Sequence, residues 1–183
     1  GILKQAEERA AELYGSEETH YLVNGSTSGI LAAISGCTAA GGTILLARNS
    51  HKSAYHAVLL RGLHVHYIYP QPAGKMGING PVTAENVDRL LEEHPETKMV
   101  YITSPTYDGV VSDVEQIAEV VHRRKLPLIV DEAHGAHFPF SEQFPKDSVS
   151  CGADVVIHSV HKTLPSLTQT ALIHLNGDLF NRE

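Results

Sequence analysis

The sequence predicts an α/β fold: a three-layer α/β/α arrangement on a mostly parallel seven-stranded sheet, with the last strand antiparallel. Three observations predict it. Short runs rich in Val, Ile and Leu recur along the chain, as strands buried on both faces require. Between most of them lie stretches with apolar residues at helical spacing, suited to crossovers between parallel strands. The last two runs are separated by a short polar loop with no room for a full crossover helix, so the seventh strand turns back on the sixth.

The first helix covers about residues 2–14, where Leu3, Ala6, Ala10 and Leu13 repeat at helical spacing before Gly15. A short strand over 21–23 runs into Asn24-Gly25-Ser26-Thr27-Ser28-Gly29, and a helix follows from Ile30 to Thr38. Gly41-Gly42 precedes a second strand over 43–46, and Asn49-Ser50-His51 opens a helix closed by Gly62. A third strand, 65–69, leads into a turn-rich connection from Pro70 to Pro81. Thr83 then caps a helix over 85–93, with Asn86 where a capping-box acid would stand. The fourth strand, 98–103, stops at Ser104-Pro105, and a helix over 113–124 places Val114, Ile117, Ala118 and Val121 on one face. Strands over 127–130, 153–157 and 170–175 complete the sheet.

At 183 residues the chain is about one domain long and large enough for a real core. A net charge of -7 weighs against nucleic acid or an anionic membrane as the main partner. Cys37 and Cys151 lack metal-type spacing, which fits a reducing, cytoplasmic setting. The uncharged stretch from Leu22 to Ala47 is broken by Asn24-Gly25, Gly36 and Gly41-Gly42, so it reads as a buried helix and strand, not a membrane span. The charged, amphipathic opening is not a secretory leader. The missing initiator methionine and the end on Asn181-Arg182-Glu183 lead us to expect a piece of a longer protein.

In such sheets a ligand lies beyond the carboxyl ends of the strands. That rim collects residues 24–28, 103–108, 131–134 and 158–162. The strand-to-helix segment Asn24–Gly29 suits an anion held by free N–H groups, and equally a plain capped turn. It is not a nucleotide-triphosphate loop, because no Gly-x-x-x-x-Gly-Lys-Ser/Thr occurs. Asp131-Glu132-Ala133-His134 admits three readings. One is the magnesium-holding strand of DEAH-box helicases, against which the missing phosphate loop and the acidic charge count. Another is a metal site from Asp131, His134 and His137, though no metal is expected. The third is a strand-end carboxylate paired with a protonated ring nitrogen. Lys162 stands after an apolar strand among hydroxyl and imidazole groups, an amine placed either for chemistry or simply for solvent. An anion cradle, a strand-end carboxylate and an amine together are what pyridoxal 5′-phosphate requires. An opposite charge about 4 Å from the ring nitrogen contributes about 4 kcal/mol at an effective dielectric of 20.

Five segments then carry a resemblance: Asn24–Gly29, Arg48-Asn49-Ser50-His51-Lys52-Ser53, Ser104-Pro105-Thr106-Tyr107-Asp108-Gly109, Asp131-Glu132-Ala133-His134-Gly135 and Ser159-Val160-His161-Lys162. In this order they resemble the large, cofactor-binding domain of fold-type I pyridoxal-phosphate enzymes. Within these the chain is most similar to the Orn/Lys/Arg decarboxylase family, in particular its shorter bacterial, arginine-decarboxylase-like members. The resemblance spans nearly the whole chain, so residues 1–183 are expected to form one large domain without the family's amino-terminal segment and small domain. It implies that Ser26, Thr27 and Ser28 form a phosphate-binding turn and that His51 stacks on the cofactor ring. It further implies that Asp131 partners the pyridine nitrogen and Ala133 packs on the ring's other face. His134 would lie near the phenolic oxygen, Ser159 and His161 would contact the phosphate, and Lys162 would form the Schiff base. Thr106 and Tyr107 are candidates for the pocket lining, without an assigned role.

The function so implied is decarboxylation of a basic amino acid (arginine, lysine or ornithine) with formation of a polyamine or its precursor, in a homo-oligomer. Aldol cleavage, acyl transfer or transamination on the same scaffold is the nearest alternative, and a non-catalytic fragment of such an enzyme is another.

Overall fold

The structure, a computed structural model, describes residues 1–182. In chain order the elements are α1 (Ile2–Tyr14), β1 (Glu18–Tyr21), α2 (Gly25–Cys37), β2 (Thr43–Ala47), α3 (Lys52–Arg61), β3 (His64–Ile68), α4 (Ala84–Glu93), β4 (Thr97–Thr103), α5 (Val114–His122), β5 (Leu128–Asp131), β6 (Val155–His158), α6 (Val160–Thr163) and β7 (Leu172–Leu175). The strands form one sheet in the order β1-β7-β6-β5-β4-β2-β3. Strands β2 to β6 run parallel. β7 is antiparallel to both neighbours, β6 and β1, as the short connection from β6 predicts.

Alternation along the strands feeds two cores, one on each face of the sheet. Leu45, Val100, Ile102, Val130 and Val156 pack with Val87 and Leu91 of α4 and Ile117 and Val121 of α5. Ile44, Leu46, Tyr101, Ile129 and Ile157 face Ile30 and Ile34 of α2 and Ala54 and Ala57 of α3. Each fully buried Leu or Ile contributes about 1.5–3 kcal/mol, so the layers hold together through these residues. The helix ends follow local chemistry. Thr83 Oγ1 accepts from Asn86 N–H at 3.3 Å and Asp113 Oδ1 from Gln116 N–H at 3.1 Å. Gly15 and Gly62 close α1 and α3 in left-handed conformation, φ 70° and 60°.

Three elements differ from the sequence reading. β1 lies at 18–21 instead of 21–23. It is an edge strand paired only to β7, so one inward residue, the buried Thr19, suffices, and Val23 is left 98% exposed beyond it. α2 starts at Gly25 instead of Ile30: Gly25 takes φ 70° and turns the chain at once into the helix, so Ser26, Thr27 and Ser28 occupy its first turn. A single helical turn, α6, carries Lys162 where a loop was expected. The remaining boundaries fall within two residues of expectation. The uncharged stretch forms α2 and β2, and among the described residues no helix is long and apolar enough to cross a membrane.

Candidate active site

The carboxyl ends of the parallel strands meet at one rim. β4 ends on Thr103 and β5 on Asp131, which are register partners. β6 ends on His158 and passes through Ser159 into α6. Between these ends and the start of α2 lies a cleft of about 450 Å³, lined in part by Ser26, His51, Asp131, Ala133, His134 and Lys162. Topology thus gathers six residues that the sequence spreads over more than a hundred positions.

Asp131 is the buried anion of this cleft. It is 2% exposed, and its Oδ2 accepts from the Tyr101 hydroxyl at 3.2 Å while Oδ1 accepts from Ala133 N–H at 3.2 Å. Among the described residues no cation lies within ion-pair distance of it. Burial holds its carboxyl above the usual range, against the pull of the Ala133 N–H and the Lys162 charge. Lys162 is exposed toward the same cleft. Its backbone N–H is bound to Ser159 O at 3.0 Å, but among the described residues nothing accepts from its Nζ.

Two imidazoles flank these groups. His51 caps α3, with Nδ1 accepting from Ser53 N–H at 3.2 Å and 2.7 Å from Ser53 Oγ. A ring whose Nδ1 accepts carries its proton on Nε2. His134 stands edge-to-face with Tyr107 at 5.7 Å. Partial burial lowers the pKa of both rings; the Lys162 charge lowers it further, and at His51 the Asp131 charge opposes this without reversing it, so both are neutral near pH 7. Asn49 and Thr103 also line the cleft, and Asn49 Oδ1 and Thr103 Oγ1 are buried without a hydrogen-bond partner. Unpaired polar atoms of this kind mark unused capacity for a polar ligand.

The other predicted residues lie just behind the lining. Ser159 Oγ donates to Ser26 Oγ at 2.9 Å, tying the start of α6 to the start of α2. Thr27 Oγ1 is 3.0 Å from Ser53 Oγ, and Ser28 Oγ donates back to Gly25 O at 2.8 Å. His161 Nδ1 donates to Thr170 O at 3.0 Å. Asp131, His134 and His137 do not bring ligand atoms together among the described residues; the His137 ring packs edge-on against Phe138 and Phe144.

Sequence reasoning missed a buried polar chain beside the cleft. Glu132 Oε1 accepts from Ser148 N–H at 3.0 Å and Ser148 Oγ at 2.6 Å. Its Oε2 lies 2.7 Å from His158 Nε2, His158 Nδ1 lies 2.9 Å from His174 Nε2, and His174 Nδ1 lies 2.7 Å from Thr19 Oγ1. Tyr14 packs on both imidazoles at 4.9 and 4.6 Å. The chain laces the end of β5 to β6, β7 and β1. Burial pushes the Glu132 carboxyl up to about 8, drives His158 down to about 3 and pulls His174 well below the usual histidine range. The only signal in the sequence was one histidine at the end of an apolar strand, His158, and one inside the next, His174.

Comparison with known proteins bears on this geometry. The family model of the Orn/Lys/Arg decarboxylase major domain matches residues 1–183. The chain is 43% identical over 177 residues to Bacillus subtilis YaaO, covering 97% of this chain and 37% of that protein. It is 36% identical over 183 residues to Bacillus subtilis arginine decarboxylase, covering all of this chain and 37% of the relative. Among solved structures, lysine decarboxylase A from Pseudomonas aeruginosa superposes with a TM-score of 0.82 at 26% identity, over 96% of this chain and 26% of that one. The chain therefore spans about 37% of the length of these curated relatives. With its whole length matched by the major-domain model, the chain belongs to the Orn/Lys/Arg decarboxylase family.

Proposed function

We propose that the protein containing this chain is a pyridoxal-phosphate-dependent decarboxylase of a basic amino acid, with Lys162 as the residue that holds the cofactor through a Schiff base. The observation that carries the proposal is the pairing of opposites in one cleft: among the described residues, a buried Asp131 carboxylate without an ion-paired cation and a Lys162 amine without an acceptor. The residues fit the cofactor. Asp131 offers a negative charge where a protonated ring nitrogen would satisfy it, and Ala133 leaves room for a flat ring. Neutral His51 can stack on that ring without charge repulsion. Ser26, backed by Ser159, lies in the first turn of α2, where free N–H groups favour a phosphate. When bound, the cofactor supplies an electron sink for the bond broken at the α-carbon.

The chain's own residues do the rest. Tyr101 and Ala133 N–H hold the Asp131 carboxylate in place, where it would face a protonated ring nitrogen. Lys162, exposed in the cleft lining, would hold the cofactor, and its Nζ would be the amine available to move protons there. His134, whose lowered pKa keeps it neutral, can donate a hydrogen bond to an oxygen without adding charge. Among the described residues that line the cleft, Asp131 is the one carboxylate, so on this reading the substrate's basic end is recognised by groups outside this lining. Arginine, lysine and ornithine are the candidate substrates; the first two match the names of relatives and ornithine the name of the family.

On this reading the full-length protein is a cytoplasmic homo-oligomer that yields a polyamine or its precursor. The groove of about 380 Å³ beside α1, where Leu13 and Tyr21 stand exposed, supports association. Borohydride reduction of the cofactor-loaded full-length protein, followed by peptide mass spectrometry, tests the assignment of Lys162. Label on Lys162, lost in Lys162→Ala, is the expected result; a reducible adduct that survives the substitution overturns it. Release of carbon dioxide from arginine, lysine or ornithine, against aldehyde or keto acid, decides the reaction.

A further inference from the structure

At the far edge of the sheet, away from the cleft, two histidines and a glutamate converge. His66 lies in the edge strand β3, opposite Leu45 of β2 and on the face that α4 covers. His94 is the residue that ends α4, and Glu96 precedes β4 by one position. Glu96 Oε1 lies 3.1 Å from His66 Nε2 and 3.7 Å from His94 Nδ1. One ligand atom from each residue falls within 4.8 Å of the other two. The start of β4 is about 20 Å from its end at the cleft, at about 3.3 Å per residue, so this cluster is separate from the site above.

We propose that His66, His94 and Glu96 form a binding site for a zinc-class divalent transition metal, with its remaining coordination position left to water. A tetrahedral ion with ligands at about 2.0–2.1 Å sets those ligands about 3.3 Å from one another. The separations of 3.1 and 3.7 Å bracket that value. Two imidazole nitrogens and one carboxylate oxygen suit Zn²⁺, Ni²⁺ or Cu²⁺, whereas Mg²⁺ and Ca²⁺ prefer oxygen alone. The two rings are stacked, with centroids 3.4 Å apart and planes 8° from parallel. Parallel rings cannot both aim a lone pair at one ion, so binding fans them apart. Their side chains are 34% and 27% exposed, which leaves room for that rotation.

The backbone beneath is already set. His94 O accepts from Thr97 N–H at 3.1 Å and from Thr97 Oγ1 at 2.8 Å, and His94 N–H donates to Leu90 O at 2.9 Å. Thr97 itself is buried. The turn that presents His94 and Glu96 is thus pinned from both sides, and the β2 ladder fixes His66, so only side chains move on binding. An ion here clamps the edge strand β3 to the α4–β4 turn and blunts an exposed sheet edge.

The test uses metal-stripped, cofactor-free full-length protein titrated with Co²⁺, read by its visible absorption, and with Zn²⁺, read by calorimetry. His66→Ala and Glu96→Gln are compared, with circular dichroism confirming that both fold. The expected result is one ion per wild-type chain lost in each variant, with affinity reduced on the order of tenfold or more, and no competition from Mg²⁺. Zn²⁺ should also raise the melting temperature of the wild type and not of either variant. Equal binding in wild type and variants, or no ion bound by the wild type, overturns the proposal and leaves the three side chains as a hydrogen-bonded surface cluster.

Discussion

Replacing Glu132 by Gln probes the buried polar chain with a change of one atom. Glu132 is 1% exposed, and burial lifts its carboxyl to about 8. A group whose folded pKa exceeds its unfolded value keeps a proton that the unfolded chain releases. Stability therefore falls as pH climbs toward the folded value. His51, His134, His158 and His174 act oppositely, because their folded values are lowered. Their contribution grows only up to the unfolded histidine value near 6.5. Cys37 and Cys151, pushed up to about 12 and about 11, affect stability only toward alkaline pH. Asp131 is also raised and adds to the slope in the same sense as Glu132.

Between about pH 6.5 and 8, Glu132 alone contributes about 1.4 kcal/mol per pH unit, or about 2 kcal/mol over the window. Gln reproduces the protonated acid. Its Oε1 accepts from Ser148 while its amide donates to His158 Nε2, and the chain of donors then runs through His174 to Thr19. The variant should lose about 2 kcal/mol of the wild-type decline, its margin over the wild type widening as pH rises toward 8. Urea unfolding of the full chain, followed by far-UV circular dichroism across this window, measures both slopes. A flat wild-type profile, or an unchanged slope in Glu132→Gln, would show an ionised carboxylate. The three donors around Glu132 would then outweigh its burial.

Three further substitutions probe the scaffold. His158→Phe strands Glu132 Oε2 and His174 Nε2, two buried polar atoms at about 1–3 kcal/mol each; a thermal unfolding shift equivalent to less than about 1 kcal/mol would refute the network's structural role. Gly135→Ala places a Cβ 2.6 Å from Glu132 Cγ and 2.9 Å from Pro105 Cδ, so it should cost about 1–3 kcal/mol in urea unfolding. Thr83→Ala removes the side-chain cap of α4 and should cost about 1 kcal/mol, with Thr83→Ser close to wild type.

The sequence by itself determined the fold class, the strand count, the reversed last strand and the residues to inspect. Apolar runs, helical spacing and connection lengths are local properties, and each constrains the backbone directly. That is why Val155–Ile157 and Thr83 could be placed without coordinates. The start of α2 was not legible, because Ser26, Thr27 and Ser28 are alike in a turn and differ only on a helix. There, about 100° of rotation per residue sends one hydroxyl to the cleft lining, one to Ser53 and one back to Gly25. Only the tertiary structure decided that, among the described residues, Asp131 has no ion-paired cation and Lys162 no acceptor, since a missing partner is a property of the whole surroundings. It alone revealed the relay from Glu132 to Thr19 and the cluster of His66, His94 and Glu96. Both join residues from different strands and turns, which side-by-side pairing in the sheet brings together and spacing along the chain conceals.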